Sequence, residues 1–398
     1  MVEVDAASFL VIVIAASIAG VAAVMLEPRI AVPVVVIELL LGIVVGPDVL
    51  GVAEPDGFTD FFANLGLGML FFFAGYEIDF RRIAGQPLRL ALIGWAGSLA
   101  LAYAIGGLLA AAGIVLSLLY TGSALSTTAI GTLIPILRDA GELPTRFGRY
   151  LLAAGAVGEF GPILLITLVL AGGKPVEEAL ILLAFVGVAV LVALVAVGSA
   201  VKTWPALERT LDASSQLAVR LSVLLIFGLV ALAYELGLDL LLGGFVAGLI
   251  TRLALNGRDV ELFEAKLTAI GYGFFIPFFF IVSGIKFDLE ALLSSTETLY
   301  KLPLFLALFL VVRGTPALLL YRNVLPEQRD RLALAFYSAT ALPLVVAIAT
   351  IAVDGDHMLS STAASLVGAA MLSTLVFPLV ALTLRRGRAG VEPRPLPA

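Results

Sequence analysis

The amino-acid sequence predicts an all-α polytopic membrane protein of about thirteen transmembrane helices, arranged as two repeats of inverted topology. Three observations lead to this fold class: the apolar composition, the distribution of basic residues, and three short similarities at nearly one sequence offset. Of the 398 residues, 61% are hydrophobic and 14% are charged, and the mean hydropathy is +1.10. A soluble domain of this length cannot bury so much apolar surface, so the chain is expected to span a lipid bilayer.

Thirteen apolar stretches, separated by polar connections, define predicted helices 1 to 13. They cover residues 6–26, 31–46, 61–77, 90–112, 116–137, 150–171, 178–200, 221–238, 240–255, 268–285, 302–321, 333–353 and 361–384. The first stretch is preceded by Glu3 and Asp5 and by no basic segment. It is therefore predicted to be a retained helix and not a cleaved signal peptide.

The basic residues predict the orientation of these helices. Connections after odd-numbered helices, with the C-terminal tail, hold 20 of the 24 Lys and Arg residues, and connections after even-numbered helices hold three. The three are Lys174, Lys286 and Lys301, and the remaining one, Arg313, lies inside predicted helix 11. Because basic connections stay in the cytoplasm, we expect the N-terminus outside, the C-terminus inside, and a location in the plasma or inner membrane.

Three similarities indicate an internal repeat. Residues 71–80 resemble residues 280–289 at an offset of 209, residues 38–42 resemble 244–248 at 206, and residues 126–129 resemble 338–341 at 212. Each offset carries a predicted helix to the one seven places later. Since seven is odd, the two halves have opposite orientation in the membrane. Inverted repeats are typical of secondary transporters, whose substrate sites lie near the bilayer midplane.

One acidic residue lies deep in the bilayer. Glu159 is near the middle of predicted helix 6, among Gly155, Gly158, Gly161 and Pro162. A carboxylate at that depth costs several kcal/mol unless it is paired, hydrated or protonated. A Glu kept neutral by a permanent hydrogen bond is one interpretation. The other is a site that takes up either a proton or a cation.

Two predicted helices carry polar clusters in corresponding positions of the two halves. Predicted helix 5 contains Ser126, Thr127 and Thr128, followed by Pro135, and predicted helix 12 contains Ser338 and Thr340, followed by Pro343. Such clusters with prolines indicate discontinuous helices, whose free carbonyl and hydroxyl oxygens bind cations. The alternative is a proline kink with hydroxyls bonded back to the helix.

A basic residue is expected to balance the buried acid. Arg313 is near the centre of predicted helix 11, and an arginine stays protonated in proteins. We predict that Arg313 interacts with Glu159, directly or through water, in at least one state. Glu38 in predicted helix 2 is the rival partner, and extension of Arg313 to the membrane surface is the alternative.

Composition argues against several other classes. The chain has no Cys, and its single His357 is in a short connection with Asp354 and Asp356. Thiol chemistry and His-rich metal sites are thereby excluded, no basic run indicates nucleic-acid binding, and an enzyme is the least favoured class. We expect no cofactor other than the transported ions.

The residues resemble a known family. Pro33, Glu38, Gly42, Gly46 and Pro47, with Leu70–Asp79, the Ser126–Ala129 segment and Gly284…Asp288, look like the monovalent cation:proton antiporters of the Kef and NapA type. The resemblance implies an NhaA/NapA-like fold, a homodimer, a mobile core of helices 4–6 and 11–13, and two crossed discontinuous helices, 5 and 12. It places the ion-binding acid on helix 6 and a basic residue at Arg313.

The resemblance also implies a single transmembrane domain over residues 1–398. Its first repeat is 31–172, a linker helix covers 178–200, the second repeat is 240–384, and no cytosolic regulatory domain is expected. The chain departs from the family at one position. Members often have Asp-Asp, Asn-Asp or Gln-Asp in helix 6, whereas this chain has Gly158-Glu159.

The expected function is exchange of Na⁺ or K⁺ for H⁺ by alternating access. Glu159 would hold either ion, with Ser126, Thr127 and Thr128 as further ligands, and one carboxylate predicts electroneutral one-for-one exchange. Ser338 and Thr340 are the polar residues of the second crossing helix, while Glu38 and Gly158 are secondary candidates for the site. A sodium-coupled organic-anion symporter and a K⁺ efflux protein are the alternatives.

Overall fold

The structure, a computed structural model, describes residues 5–26, 34–78, 83–165, 175–238, 240–255, 260–293 and 296–385, and contains no β-strand in these ranges. Pro33 and Asp79 of the family-like segments, Lys174, and the end of predicted helix 6 from residue 166 lie outside the described residues.

The helices follow the chain in this order. They are α1 (Ala6–Leu26), α2 (Val34–Val45), α3 (Gly57–Glu77), α4 (Gln86–Ala111), α5 (Leu118–Leu125), α6 (Ile130–Asp139), α7 (Arg146–Leu165), α8 (Pro175–Arg209), α9 (Leu217–Glu235), α10 (Leu240–Leu255), α11 (Glu261–Ile270), α12 (Ile276–Ile285), α13 (Leu289–Leu293), α14 (Thr296–Leu320), α15 (Gln328–Ser338), α16 (Pro343–Asp354) and α17 (Ser360–Arg385). A π-helical turn, Gly271–Phe275, joins α11 to α12.

Within the described residues, every predicted apolar stretch coincides with helical structure, which confirms the all-α polytopic membrane fold. Predicted helices 5 and 12 are each broken in two, as expected. The sequence pattern missed the short α13, and it gave α8 as 178–200 whereas the helix extends to Arg209. That last part carries Lys202, Glu208 and Arg209, so it is a polar continuation of an apolar helix.

Nine of the described helical segments are long and apolar enough to cross a membrane, and three shorter ones are apolar. The shorter segments are Val34–Val45, Leu118–Ile134 and Leu240–Leu255. Helix α7 is in neither group. Its described part begins with Arg146 and Arg149, and the apolar residues that follow Leu165 lie outside the described ranges.

The chain divides into two compact units. The first comprises Met1–Ile18, Glu38–Asp79 and Thr167–Ile285. Within it, α3 and α10 approach each other at glycines: a Cβ at Gly75 would collide with the Phe245 carbonyl, and one at Gly248 with the Phe72 carbonyl. Small residues that allow helix backbones to meet are the usual packing device inside membranes.

The second unit comprises Ala19–Ile37, Phe80–Ile166 and Lys286–Ala398. It contains α4–α7 and α13–α17, which include the predicted core helices 4–6 and 11–13. The proposed division of the chain into two repeats and a linker helix stays a prediction. All the contacts of the candidate site described below lie within this second unit.

A buried ion cluster joins three elements of the second unit. Arg385 at the end of α17 donates from Nε and Nη2 to the two carboxylate oxygens of Glu142, at 2.9 and 2.8 Å. Its Nη1 is 2.9 Å from Oδ1 of Asp330 in α15, and its guanidinium lies 4.2 Å above the Phe147 ring. Two carboxylates, one fork-shaped cation and one aromatic face therefore hold the ends of these helices together.

Candidate functional site

Two helix breaks meet in the second unit. The first separates α5 from α6 at residues 126–129, and the second separates α15 from α16 at residues 339–342. The Ala129 backbone N–H donates to the Thr340 carbonyl at 2.8 Å, and the Thr128 hydroxyl donates to the Ser338 carbonyl. Predicted helix 5, now α5 and α6, and predicted helix 12, now α15 and α16, therefore cross at their breaks. This confirms the predicted pair of crossed discontinuous helices.

Local sequence explains why the helices stop there. The Ser126 hydroxyl donates to the Ser123 carbonyl at 2.9 Å, and the Thr127 hydroxyl to the Ala124 carbonyl at 2.8 Å. These hydroxyls satisfy carbonyls in the last turn of α5 that have lost their helical partners. Pro343 begins α16, where its missing N–H costs nothing.

The back-bonding of these side chains leaves their oxygens available. A hydroxyl that donates its proton to a carbonyl retains lone pairs that a cation can use. Thr340 follows the same pattern as Ser126 and Thr127, with its hydroxyl 3.3 Å from the Phe336 carbonyl. The Ser338 hydroxyl differs, because it is buried with no hydrogen-bond partner among the described residues.

Glu159 lies on α7 beside the first break. Its side chain is 2% exposed, and Oε2 has no hydrogen-bond partner among the described residues. The backbone amides of Ile130 and Gly131, the first residues of α6, face this carboxylate. A helix N-terminus carries partial positive charge, so it favours the negative form of an adjacent acid.

Arg313 on α14 binds neutral acceptors. Nε donates to the Thr128 hydroxyl at 2.9 Å and to the Ser338 carbonyl at 3.3 Å, and Nη1 donates to the Ser98 hydroxyl at 3.2 Å. Nη2 donates to the Ala154 carbonyl at 3.3 Å. The guanidinium therefore joins α4, α7, the first break and the end of α15 while it is only 4% exposed.

The described contacts contain no ion pair between Arg313 and Glu159. Arg313 approaches α7 on the face of Ala154 and Gly158, whereas Glu159 is one residue further on. Successive residues of a helix point about 100° apart, so the two charges are directed to different neighbours. Contact through water, or in another conformational state, stays a prediction.

Gly158 makes room for this arrangement. A Cβ at residue 158 would lie 2.7 Å from Oγ1 and 2.9 Å from Cβ of Thr128, and would also collide with Nη2 of Arg313. Glycine at this position therefore allows the Arg313 guanidinium and Thr128 to lie directly against α7.

The rival acid lies elsewhere in the chain. Glu38 is on α2, in the segment that belongs to the first unit, and it is buried with Oε2 unpartnered among the described residues. Its pairing with Arg313 and its part in ion binding stay predictions.

Sequence reasoning missed Ser98 and the buried cluster around Arg385. Ser98 is a single hydroxyl among small residues of α4, and its contact with Arg313 depends on how α4 and α14 pack. The predicted helix bounds place Arg385 in the C-terminal tail and Glu142 in the connection between predicted helices 5 and 6, but each is buried. An arginine directly at the end of an apolar helix was the available signal.

The described residues contain no group of three or more His, Cys, Asp or Glu side chains that could hold a metal ion. A cation bound at the crossing would therefore use one carboxylate together with hydroxyl and carbonyl oxygens. Hard monovalent cations prefer such oxygen ligands.

These features define a class of protein. A helical membrane fold with two broken helices crossing beside a buried acid is the architecture of secondary transporters. The profile of the family described as "Sodium/hydrogen exchanger, transmembrane" matches residues 12–383. The chain belongs to this family, which confirms the predicted antiporter family. The members of this family are transporters and not enzymes, in agreement with the expected class.

Several relatives named as antiporters are similar over most of this chain. It is 25% identical over 368 residues to the putative Na⁺/H⁺ antiporter YjbQ of Bacillus subtilis, covering 88% of this chain and 59% of the relative. It is 29% identical over 371 residues to the Na⁺/H⁺ antiporter NhaS5 of Synechocystis, covering 88% and 51%. This chain thus spans roughly half to three-fifths of the length of these two relatives.

Another relative and one solved structure complete the comparison. The Na⁺/H⁺-K⁺ antiporter GerN of Bacillus cereus is 26% identical over 279 residues, covering 67% of this chain and 68% of the relative. The sodium proton antiporter MjNhaP1 of Methanocaldococcus jannaschii has the same fold, with a TM-score of 0.64, 15% identity, and coverage of 96% and 97%.

Proposed function

We propose that this protein exchanges a monovalent cation, Na⁺ or K⁺, for H⁺ across its membrane, with Glu159 as the shared binding site. The observation that carries the proposal is the buried Glu159 carboxylate, whose Oε2 lacks a hydrogen-bond partner among the described residues beside the first helix break. Relatives named as Na⁺/H⁺ or cation/H⁺ antiporters support the same substrates.

Competition for one carboxylate couples the two fluxes. Glu159 either holds a proton or coordinates the cation, so neither ion can occupy the site with the other. A charged, empty site is costly to carry through the low-dielectric interior, whereas either ion neutralises it. The core then changes access readily only when one of the two ions is bound, which is alternating access.

The remaining cation ligands come from the crossing. Oxygens of Ser126, Thr127 and Thr128 at the first break, and of Ser338 and Thr340 at the second, are the candidates. The Ser338 hydroxyl is the strongest of these, since it is buried and, among the described residues, unpartnered. Its location one residue before the second break brings it to the same crossing as Thr128.

Arg313 supports electroneutral exchange. Its charge is permanent, and its donors are directed to hydroxyls and carbonyls instead of a carboxylate. It therefore does not release a proton in the cycle, and one titrating carboxylate predicts one cation for one proton. If an imposed membrane voltage alone drives transport in proteoliposomes, the one-for-one stoichiometry is wrong.

The alternative of an organic-anion symporter has less support. Arg313 would have to bind the substrate carboxylate, but it is 4% exposed and donates to four protein oxygens. Na⁺-stimulated uptake of an organic anion without proton release would favour that alternative. A K⁺ efflux channel would instead give flux that neither saturates nor requires a counter-ion.

The test is the Glu159→Gln variant in proteoliposomes that contain a pH-sensitive dye. Glutamine has nearly the same shape but can neither release a proton nor attract a cation with a full charge. We expect Na⁺- and K⁺-dependent proton movement to fall to the level of protein-free vesicles.

Glu38→Gln tests the rival assignment, because it changes the other buried acid that has an unpartnered oxygen among the described residues. It should retain exchange. Full activity of Glu159→Gln, or a loss of activity only in Glu38→Gln, would remove Glu159 from the mechanism.

Assembly and orientation complete the proposal. We expect a homodimer in which predicted helices 4–6 and 11–13 form the moving core. We also expect it in the plasma or inner membrane, with the C-terminus in the cytoplasm. Native mass spectrometry in lipid tests the dimer. Accessibility of single cysteines, introduced into a chain that has none, tests the orientation.

A further inference from the structure

Both charged residues of the site are followed by a proline at the same spacing. Glu159 precedes Pro162 in α7, and Arg313 precedes Pro316 in α14, three residues on in each case. Proline has no N–H, so the carbonyl four residues before it loses its helical hydrogen bond. The carbonyls concerned belong to Gly158 and Val312, each directly before a charged residue.

Each of these two carbonyls is bound by a group from another element. The Thr128 backbone N–H, in the first break, donates to the Gly158 carbonyl at 2.9 Å. The Ser98 hydroxyl, in α4, donates to the Val312 carbonyl at 2.9 Å. At both positions the helix lacks the backbone N–H that would otherwise donate to these two carbonyl oxygens.

The second contact leads directly to the Arg313 side chain. While the Ser98 hydroxyl donates to the Val312 carbonyl, its oxygen accepts from Nη1 of Arg313 at 3.2 Å. Similarly, the Thr128 backbone is held by Gly158 while the Thr128 hydroxyl accepts from Nε of Arg313 at 2.9 Å. The two proline-freed carbonyls thus hold two of the groups that orient the guanidinium.

We propose that Pro162 and Pro316 are positioning residues for ion exchange: each frees the carbonyl before a site charge, so that the first break docks beside Glu159 and Ser98 docks beside Arg313. This inference rests on the proposed function, because it assigns the docking to the cation site. It adds two residues whose own side chains carry no polar group.

Another proline in the same helix provides a control. Pro303 is also inside α14, but its side chain is exposed. The carbonyl four residues before it belongs to Leu299, and no hydrogen bond from another helix to that carbonyl occurs among the described residues. Pro303→Ala therefore makes the same chemical change without touching the site.

Transport kinetics test the proposal in the full chain in proteoliposomes. In Pro162→Ala the restored N–H competes for the Gly158 carbonyl, and the Thr128 segment loses its anchor. We expect the apparent KM for the cation to rise about tenfold, the order of one lost hydrogen bond, with a smaller change in the maximal rate. Pro316→Ala should raise KM less, and Pro303→Ala should stay within about twofold of the wild type.

Thermal stability separates positioning from simple structural support. Alanine favours a helix interior over proline, so Pro162→Ala and Pro316→Ala should melt at or above the wild-type temperature although transport is impaired. A role in stability alone predicts the reverse, a lower melting temperature with KM unchanged. That result would overturn the proposal.

Amide hydrogen exchange provides a readout that does not depend on transport. Peptides covering residues 126–129 should exchange faster in Pro162→Ala than in the wild type or in Pro303→Ala. Unchanged exchange and unchanged KM would overturn the inference while leaving the test of Glu159 intact. If the wild type moves no cation against protons, the proposed function fails. The amide hydrogen exchange rates then still show whether Pro162 allows the first break to bind the Gly158 carbonyl.

A second variant covers the case in which Pro162→Ala does not fold. Ser98→Ala removes only the hydroxyl that binds the Val312 carbonyl and Arg313. We expect it to raise the apparent KM for the cation and to shift the pH dependence of transport, since Arg313 is then held less closely. An unaltered KM and pH profile would contradict the proposed roles of Ser98 and Pro316.

Discussion

The two helix breaks are related by sequence but differ in the groups that hold them. The first break is anchored by the Gly158 carbonyl and by Arg313, and it lies beside the carboxylate of Glu159. The second break is held from α17 by hydroxyls. The Ser373 oxygen accepts from the Ala341 N–H at 3.0 Å, and Ser373 and Thr374 both reach the Ala341 carbonyl.

The difference shows that two similar helix breaks can be stabilised by different groups. Both breaks leave backbone groups without helical partners, and the helix that follows binds some of them. At the first break α7 does so through the Gly158 carbonyl, and at the second α17 does so through the Ser373 and Thr374 hydroxyls. In the first half that helix, α7, also carries a buried acid, whereas in the second half α17 offers neutral hydroxyls at the corresponding place. We therefore infer that the first break brings the charged groups to the site and that the second contributes neutral oxygens.

The largest effect that separates the two breaks should come from Arg313→Lys. Lysine keeps the charge but lacks the planar fork that reaches Thr128, Ser98 and Ala154 together. We expect the free energy of unfolding to fall by about 2–4 kcal/mol and exchange to drop at least tenfold. Arg146→Lys, at the exposed start of α7, is the control for the same substitution. Urea or thermal unfolding measures the stability. Wild-type exchange in Arg313→Lys would mean that transport depends only on the charge of this residue.

A smaller effect should follow from Gly158→Ala at the first break. The added Cβ would lie within 3 Å of two Thr128 atoms, so Thr128 and Arg313 must move. Overpacking of this kind costs about 1–3 kcal/mol, and we expect a raised KM for the cation in the dye assay. Gly107→Ala in α4 meets nothing within 4 Å and should leave both quantities unchanged or slightly raise stability. Equal behaviour of the two variants would remove Gly158 from the site.

The smallest effect on transport should come from Ser373→Ala at the second break. The Ala341 N–H would lose its acceptor, which lowers the free energy of unfolding by about 1–3 kcal/mol. The KM for the cation should stay near the wild-type value, because no charged site residue is displaced. Thr383→Ala, an exposed hydroxyl of the same helix, should change stability by less than about 0.5 kcal/mol. If Ser373→Ala raises KM as much as Gly158→Ala, the two breaks are not functionally distinct.

Much of the fold and part of the site could be predicted from the sequence. Glu159 stands out because one acid in a long apolar stretch needs a reason to be there. The polar clusters at 126–129 and 338–341 located both breaks within a residue or two. The pairing of Glu159 with Arg313 was inferred from similar depth alone, and the described contacts instead join Arg313 to Thr128, Ser98 and Ala154.

Similar depth in the membrane did not suffice to predict this contact, because each side chain also points in a particular direction around its helix axis. Two residues at the same level meet only if they also face each other around their helix axes, and that depends on how the helices pack. The same limit hid Ser98, whose role depends on the approach of α4 to α14. It also hid the ion cluster of Arg385, Glu142 and Asp330, which joins residues far apart in the chain.

Composition and local hydrogen bonding act along the chain, and they are sufficient to identify the membrane class, the helices, the two breaks and the buried acid. Which groups surround each charge depends on how the helices pack against one another. The prolines 162 and 316 freed two carbonyls through local chemistry, but packing brought Thr128 and Ser98 to them. A polar group that loses its helical partner must find another, and its choice depends on which neighbour the fold brings within hydrogen-bonding distance.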